Sequence, residues 1–316
     1  MKKENAPEHT PAVPSPKEAV GTAAPMLPEE KAASPRLLKS AGAESEGPGS
    51  EKSALLPGGS ENQVEKIDGT VHRKPQGPKL LHRYLQYLEE KGMPGVPRFL
   101  GMDEKGREVL TYLPGQTMGR DFPPTHPCLY TDDTLIAAAR FVRRLHDVSA
   151  GFLEEARAGG WKDPFFPERE SEIICHGDAG IWNFVFQNNV PAGLFDFDQA
   201  HPGTRLWDLT TTLFSVVPLT YFVFDPQRGD TVDYDPQKHA SERRRRVCLF
   251  FEAYGTPFPQ GIFDLTLERI EKDFCGSMER GAAAGDETCL RMIREGQLLH
   301  YQKIAAHLRA HKTEWL

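Results

Sequence analysis

The sequence predicts an α+β chain in which short strands come first and helices dominate the remainder. Three observations carry this. Two strand-like runs, ENQVEKI and GTVHRKP, meet at Asp68-Gly69, and two more flank the turn Asp103-Glu104-Lys105-Gly106. From Asp132 onward, apolar residues recur at helical spacing. Between helical stretches lies one aromatic-rich hairpin, FVFQ and AGLFDF, with His176, Asp178, Asn183 and Asp196 on its flanks.

The elements follow in order. Residues 1–53 are rich in Pro, Ala, Glu, Ser and Lys and lack apolar periodicity. Such a segment buries too little surface to offset its ordering entropy, so a disordered tail is expected. Residues 55–75 predict two or three short strands. Gly58-Gly59 there either lets backbone approach a phosphate or serves as a plain turn. Residues 78–91 predict a helix, with Leu81, Leu85 and Leu88 on one face and Gly92 as its stop. Residues 97–113 predict two strands that end at Pro114-Gly115, a natural boundary. The expected organisation is thus a tail (1–53), a small strand-rich region (54–115) and a larger helical region (116–316).

Asp132-Asp133 places negative charge where a long helix begins. Leu135, Ala139, Val142 and Leu145 form its core stripe, and His146 reads as a histidine satisfied by neighbours. WKDPFFPERESE (161–172) reads as a loop near the hairpin. Phe165, Phe166 and Trp182 are candidates to line a pocket there, Trp182 equally a core anchor. Helices are expected over 206–216, 241–254, 263–280 and 287–310.

The formal net charge of −7 argues against broad nucleic-acid binding. The run Arg243 to Arg246 reads first as a charged helix face, and second as a contact for phosphate or an acidic partner. Five cysteines without a C-x-x-C pair argue against a disulfide framework or zinc site and fit a reducing cytoplasm. Cys175 lies in the apolar run IIC and reads as a small buried residue rather than a nucleophile. No apolar run reaches membrane-spanning length and no secretory h-region is visible, so no membrane partner is expected.

The spacing within ICHGDAGIWNFVFQNNVPAGLFDFDQA suits phosphoryl transfer, which needs a carboxylate to receive a hydroxyl proton and oxygen ligands for Mg²⁺. Asn188-Asn189-Val190-Pro191 carries turn chemistry. A turn centred between Asn189 and Val190 sets Phe184 opposite Phe195 and Asn183 opposite Asp196. Opposed residues on antiparallel strands lie roughly 5 Å apart. Singly, each of these residues is an ordinary turn former or strand end.

HGDAGIWN resembles the HGDxxxxN element of aminoglycoside phosphotransferases and choline or homoserine kinases, and LFDFDQAHPGTRLWDL resembles the element that follows it in that family. GREVLTYLPG is similar to the family's hinge strand, and FVRRLHDVS to the helix before its catalytic loop. The resemblance implies a two-lobed protein-kinase-like fold, with a small mostly β N-lobe over 54–115 and a mainly helical C-lobe over 116–316. It implies transfer of the γ-phosphate of ATP, or of GTP, to a hydroxyl of a small molecule by a monomer or homodimer. Asp178 matches the base, Asn183 and Asp196 the Mg²⁺ ligands, and His176 a packing residue of the loop. Asp208 matches a structural Asp that ties loop to helix. Asp198 is left between a water-mediated metal contact and a turn cap. Arg73, with Lys74 the alternative, stands where the family carries a strand Lys on the phosphates. Gly58, Gly59, Thr111 and Leu113 complete the implied nucleotide contacts. The helix over 78–91 offers Leu81, His82 and Arg83 where the family has a Glu partner for that Lys. A non-catalytic nucleotide-binding module is therefore the alternative.

Overall fold

The computed structural model describes residues 53–55, 64–118, 124 and 126–316. Most of the expected tail, and Gly58 and Gly59, lie outside the described residues.

The first strands are β1 (Ser53–Leu55), β2 (Glu65–Ile67), β3 (Thr70–Arg73), β4 (Phe99–Met102) and β5 (Glu108–Thr111), joined in one antiparallel sheet of order β1-β2-β3-β5-β4. Asp68 and Gly69 both adopt positive φ, 46° and 83°, as a two-residue hairpin turn requires. The register sets Arg73 directly opposite Glu108. Helix α1 (Leu81–Glu90) is shorter than the expected 78–91, and its N-cap Leu80 makes no side-chain cap hydrogen bond. Its buried face is Leu81, Tyr84, Leu85 and Leu88, and Gly92 (φ 65°) ends it.

A second sheet of order β6-β8-β9 combines β6 (Gln116–Thr117), β8 (Phe184–Gln187) and β9 (Val190–Leu194). A third pairs β7 (Ile173–Cys175) with β10 (His201–Gly203). These sheets pack on α2 (Asp132–Ser149), whose N-cap Thr131 accepts from Thr134 N. The stripe Leu135, Ala139, Val142 and Leu145 is fully buried. Each such Leu contributes about 2 kcal/mol.

The remainder is mainly helical: α3 (Leu153–Ala158), α4 (Arg205–Val216), α5 (Pro236–Tyr254), α6 (Ile262–Arg269), α7 (Gly276–Ala283), α8 (Glu287–Arg294) and α9 (Gln297–His311). Two expected helices are subdivided. The stretch 263–280 is interrupted by a π-turn, Ile270–Cys275, and 287–310 breaks at Gly296 (φ 86°). A hairpin of β11 (Phe222–Asp225) and β12 (Asp230–Asp233) was not foreseen, although FVFDPQRGDTVD has its alternation and Gly229 its turn. The arginine run is only half a solvated face. Arg243 donates to the carbonyls of Thr220 and Phe222, and Arg246 to that of Val216, all from buried positions. Among the described residues no helix is long and apolar enough to cross a membrane.

Candidate active site

The strand β7 is fully buried and delivers His176-Gly177-Asp178 at its end. Asp208, in the first turn of α4, fixes this loop. Its carboxylate accepts from His176 N (2.8 Å), Gly177 N (2.9 Å) and His146 Nε2 (3.0 Å). Burial opposes its ionisation, yet the His146 hydrogen bond and charge outweigh that and hold Asp208 below the usual carboxylate range. This is the structural role expected of Asp208. His146 is satisfied as expected, with Tyr254 on its other nitrogen at 2.9 Å. His176 is buried, and burial lowers its proton affinity. Its Nε2 donates to Phe195 O (3.0 Å), and Nδ1 accepts from Asp178 N (3.2 Å), which defines a neutral packing residue.

A 3₁₀ turn, Ile181–Asn183, carries Asn183 to the start of β8. The hairpin register differs from the expected one. Asn188 and Asn189 (φ 52° and 62°) form the turn by themselves, Gln187 faces Val190, and a bulge follows. Phe184 therefore faces Leu194 rather than Phe195. Asn183 O accepts from Phe195 N (3.0 Å), and Asp196 lies one residue beyond, in left-handed conformation (φ 69°). The physical reason is that asparagine tolerates positive φ, so two residues suffice where four were expected.

Asp178 sits at the centre of this arrangement. Its Oδ2 accepts from Asn183 Nδ2 (2.8 Å) and Trp182 Nε1 (3.1 Å), while Oδ1 is buried with no hydrogen-bond partner among the described residues. Burial pushes its carboxyl up to about 7, against the Trp182 hydrogen bond. Trp182 is thus both a half-buried packing residue and a partner of the acid. The Asn183 nitrogen also donates to Asp178 O (2.9 Å), which leaves its amide oxygen as the atom able to ligate a cation. Asp196 makes one long contact, 3.5 Å to Arg73 Nη1, and its side chain is 39% exposed. An amide oxygen and an accessible carboxylate are hard donors that fit Mg²⁺, an ion that keeps water and phosphate ligands. Among the described residues no group of three or more His, Cys, Asp or Glu side chains is placed to hold a metal ion.

Arg73 reaches this cleft from β3. Its terminal nitrogens hold both Asp198 oxygens, Nη1 to Oδ2 at 3.0 Å, and its Nε donates to Glu108 Oε1 at 2.6 Å. Burial works against the guanidinium charge, but Asp198 and Glu108 outweigh it and hold Arg73 above its ordinary value. Burial likewise raises Asp198 to about 6, opposed by Arg73. Asp198 is thus an ion-pair partner, the role left open between metal contact and cap. Glu108 is fully buried and takes His82 Nε2 at 2.6 Å on its other oxygen.

Sequence reasoning set His82 among the residues standing where the family carries a Glu but did not foresee its bond to Glu108, and it missed Glu108 and Arg269. The last is buried in α6, donates to Gly177 O and lies 4.8 Å from the Trp207 ring. Thr111 pairs with Thr70 across β5 and β3, and its Oγ1 accepts from Arg98 N. Leu113 approaches the Gly193 backbone. A cavity of about 380 Å³ beside the loop is lined by Trp161, Lys162, Phe165, Asp198, Asp273 and Arg280, among others. Phe165 thus lines a pocket as expected, whereas Phe166 packs edge-on against Trp207. Cys175 is buried and its thiol is pushed well up by burial, so it is no nucleophile.

A small antiparallel sheet set before a helical body, with this loop and hairpin between them, is the two-lobed protein-kinase-like fold. Residues 161–246 match the model of a phosphotransferase enzyme family. The chain is 31% identical over 153 residues to a trifolitoxin immunity protein of Rhizobium leguminosarum bv. trifolii, covering 46% of this chain and 55% of that one. It therefore spans about half the length of that curated relative. Among solved structures, the GDP complex of aminoglycoside 2'-phosphotransferase-IIIa superposes with TM-score 0.55 at 14% identity, over 83% of this chain and 93% of that one. Amicoumacin kinase hAmiN, in complex with AMP-PNP, Ca²⁺ and Ami, gives 0.53 at 13% identity, over 81% and 88%. At these identities the two structures speak for the fold.

Proposed function

We propose that this protein is a nucleotide-dependent phosphotransferase acting on a hydroxyl of a small molecule. The observation that carries the reading is the gathering of Asp178, Asn183 and Asp196 at one loop and hairpin, with the Arg73 guanidinium across the cleft. Asp178 orients the acceptor hydroxyl and takes its proton. The acceptor oxygen forms a new P–O bond, and the bond between the γ-phosphorus and the β–γ bridging oxygen breaks, leaving a nucleoside diphosphate. Asn183 and Asp196 would hold Mg²⁺, which would supply charge neutralisation on the phosphates. Arg73 binds phosphate oxygens through its two terminal nitrogens, a geometry suited to bidentate contact. Thr111 and Leu113, at the end of β5 and just beyond it, are the backbone that meets the base of ATP or GTP, and Gly58-Gly59 remains a candidate phosphate contact. Most of the rate arises from positioning and electrostatics rather than covalent chemistry.

The likeness to a trifolitoxin immunity protein makes trifolitoxin the first acceptor to try, with aminoglycosides next. The test is ³²P transfer from ATP and from GTP to such a panel, with Asp178→Ala as the control. Loss of transfer with nucleotide affinity retained is the expected result, and unchanged transfer removes Asp178 as the base. A non-catalytic nucleotide-binding module is the second reading, favoured by the engagement of Arg73 with Asp198. Mg·ATP binding without turnover on any acceptor selects it.

A further inference from the structure

Arg73 does not enter the cleft alone. Its Nε is bound to Glu108 Oε1 (2.6 Å), and Glu108 Oε2 is bound to His82 Nε2 (2.6 Å). The His82 ring is stacked on Phe99 of β4, centroids 3.9 Å apart and planes within 7°. These contacts run from α1 through two neighbouring strands to the cleft. Glu108 has no exposed surface, so its charge is met by these two partners rather than by water. A guanidinium held by its Nε edge keeps only its two terminal nitrogens for other partners. In this molecule those two nitrogens rest on Asp198, with Asp196 at 3.5 Å.

We infer that Glu108 and His82 are positioning residues for the nucleotide phosphates, acting through Arg73. Glu108 keeps the Nε edge in place while the terminal nitrogens exchange the Asp198 carboxylate for phosphate oxygens. His82 fixes the second Glu108 oxygen and ties α1 to that exchange. The ion pair that steadies the phosphate-binding cation is thereby formed across adjacent strands, Arg73 against Glu108, with histidine as the helix's contribution. This inference rests on the phosphotransferase reading above.

The experiment measures dissociation constants for Mg·ATP and for adenosine, which lacks phosphates, by calorimetry on the full chain. Arg73→Ala and Glu108→Gln are each expected to weaken Mg·ATP about tenfold, the loss of one charge-assisted contact, and to leave adenosine unchanged. The double variant is expected to bind Mg·ATP no more weakly than Arg73→Ala, because Glu108 acts only through Arg73. His82→Ala is expected to weaken Mg·ATP and His82→Gln, which retains an N–H donor, to restore it. Because the His82 side chain is 30% exposed, these two variants keep the test open if Glu108→Gln fails to fold. Additive losses in the double variant, an equal loss for adenosine, or wild-type affinity in Glu108→Gln or His82→Ala overturn the inference and leave the phosphotransferase reading standing. A wild-type chain that binds no Mg·ATP overturns both.

Discussion

The Asn183 amide nitrogen lies 2.8 Å from Asp178 Oδ2 and 2.9 Å from Asp178 O, so one side chain braces the acid and its backbone together. While it does so, its oxygen is the atom left for the cation in the proposed reading. Asn183→Ala removes that proposed ligand. The Mg²⁺ concentration for half-maximal nucleotide binding should rise about tenfold, equivalent to roughly 1.4 kcal/mol. A Mg²⁺ titration with a fluorescent ATP analogue reads this, and an unmoved midpoint removes Asn183 from the ligand set.

Asp208 offers no room for its amide counterpart. Oδ2 accepts from both His146 Nε2 and His176 N, and Oδ1 accepts from Gly177 N. Whichever way an asparagine is placed, its NH₂ meets an N–H donor in a fully buried site. Asp208→Asn should cost about 3 kcal/mol or more, the range for breaking a buried charged network. Urea unfolding of the two chains measures it. A loss under 1 kcal/mol would mean that the loop does not depend on this carboxylate.

The candidate site residues could be grouped from sequence because they are local: His176 to Asp196 is one loop and one hairpin, and short-range rules govern both. Even there the register was misjudged, since Asn188-Asn189 forms a complete turn and a bulge shifts the pairing. Glu108 and its link from Arg73 to His82 were illegible for the opposite reason. The contacts among Arg73, Glu108 and His82 span 35 and 26 positions and three elements, and no spacing rule links them. Composition likewise concealed that Arg243 and Arg246 are buried, because the carbonyls that receive them belong to a distant turn. The helix break at Gly296 was missed because one glycine inside a helical pattern is only a weak stop signal.

Arg243 Nη1 donates to His307 Nε2 at 2.9 Å, which requires that nitrogen to carry a bare lone pair. Burial, then the Arg243 and His311 charges, push His307 down to about 3. The unfolded chain protonates this residue near pH 6.5. Between those values the unfolded state binds more protons, so stability is full above about pH 6.5 and declines as pH falls toward 3. In His307→Gln the amide oxygen can accept from Arg243 without titrating. Its Tm should therefore fall less than that of the wild type between pH 7 and pH 5. Parallel Tm curves would show that His307 does not contribute.

Gly177 precedes the acid and holds φ at 84°, where an L side chain is strained. A Cβ there would also run into the Gln199 backbone carbonyl, next to β10. Gly160 provides the comparison: its φ is 74°, with open space around the added atom. Gly160→Ala should therefore show the conformational cost alone, about 1 to 2 kcal/mol. Gly177→Ala adds a backbone clash that only a shift of the loop or of β10 relieves, for a total of at least about 3 kcal/mol. That shift would move Asp178 relative to Asn183, so phosphoryl transfer should drop in Gly177→Ala and be retained in Gly160→Ala. Chemical denaturation and a transfer assay on the pair separate the two costs. Equal stability losses would show that the loop yields freely at Gly177.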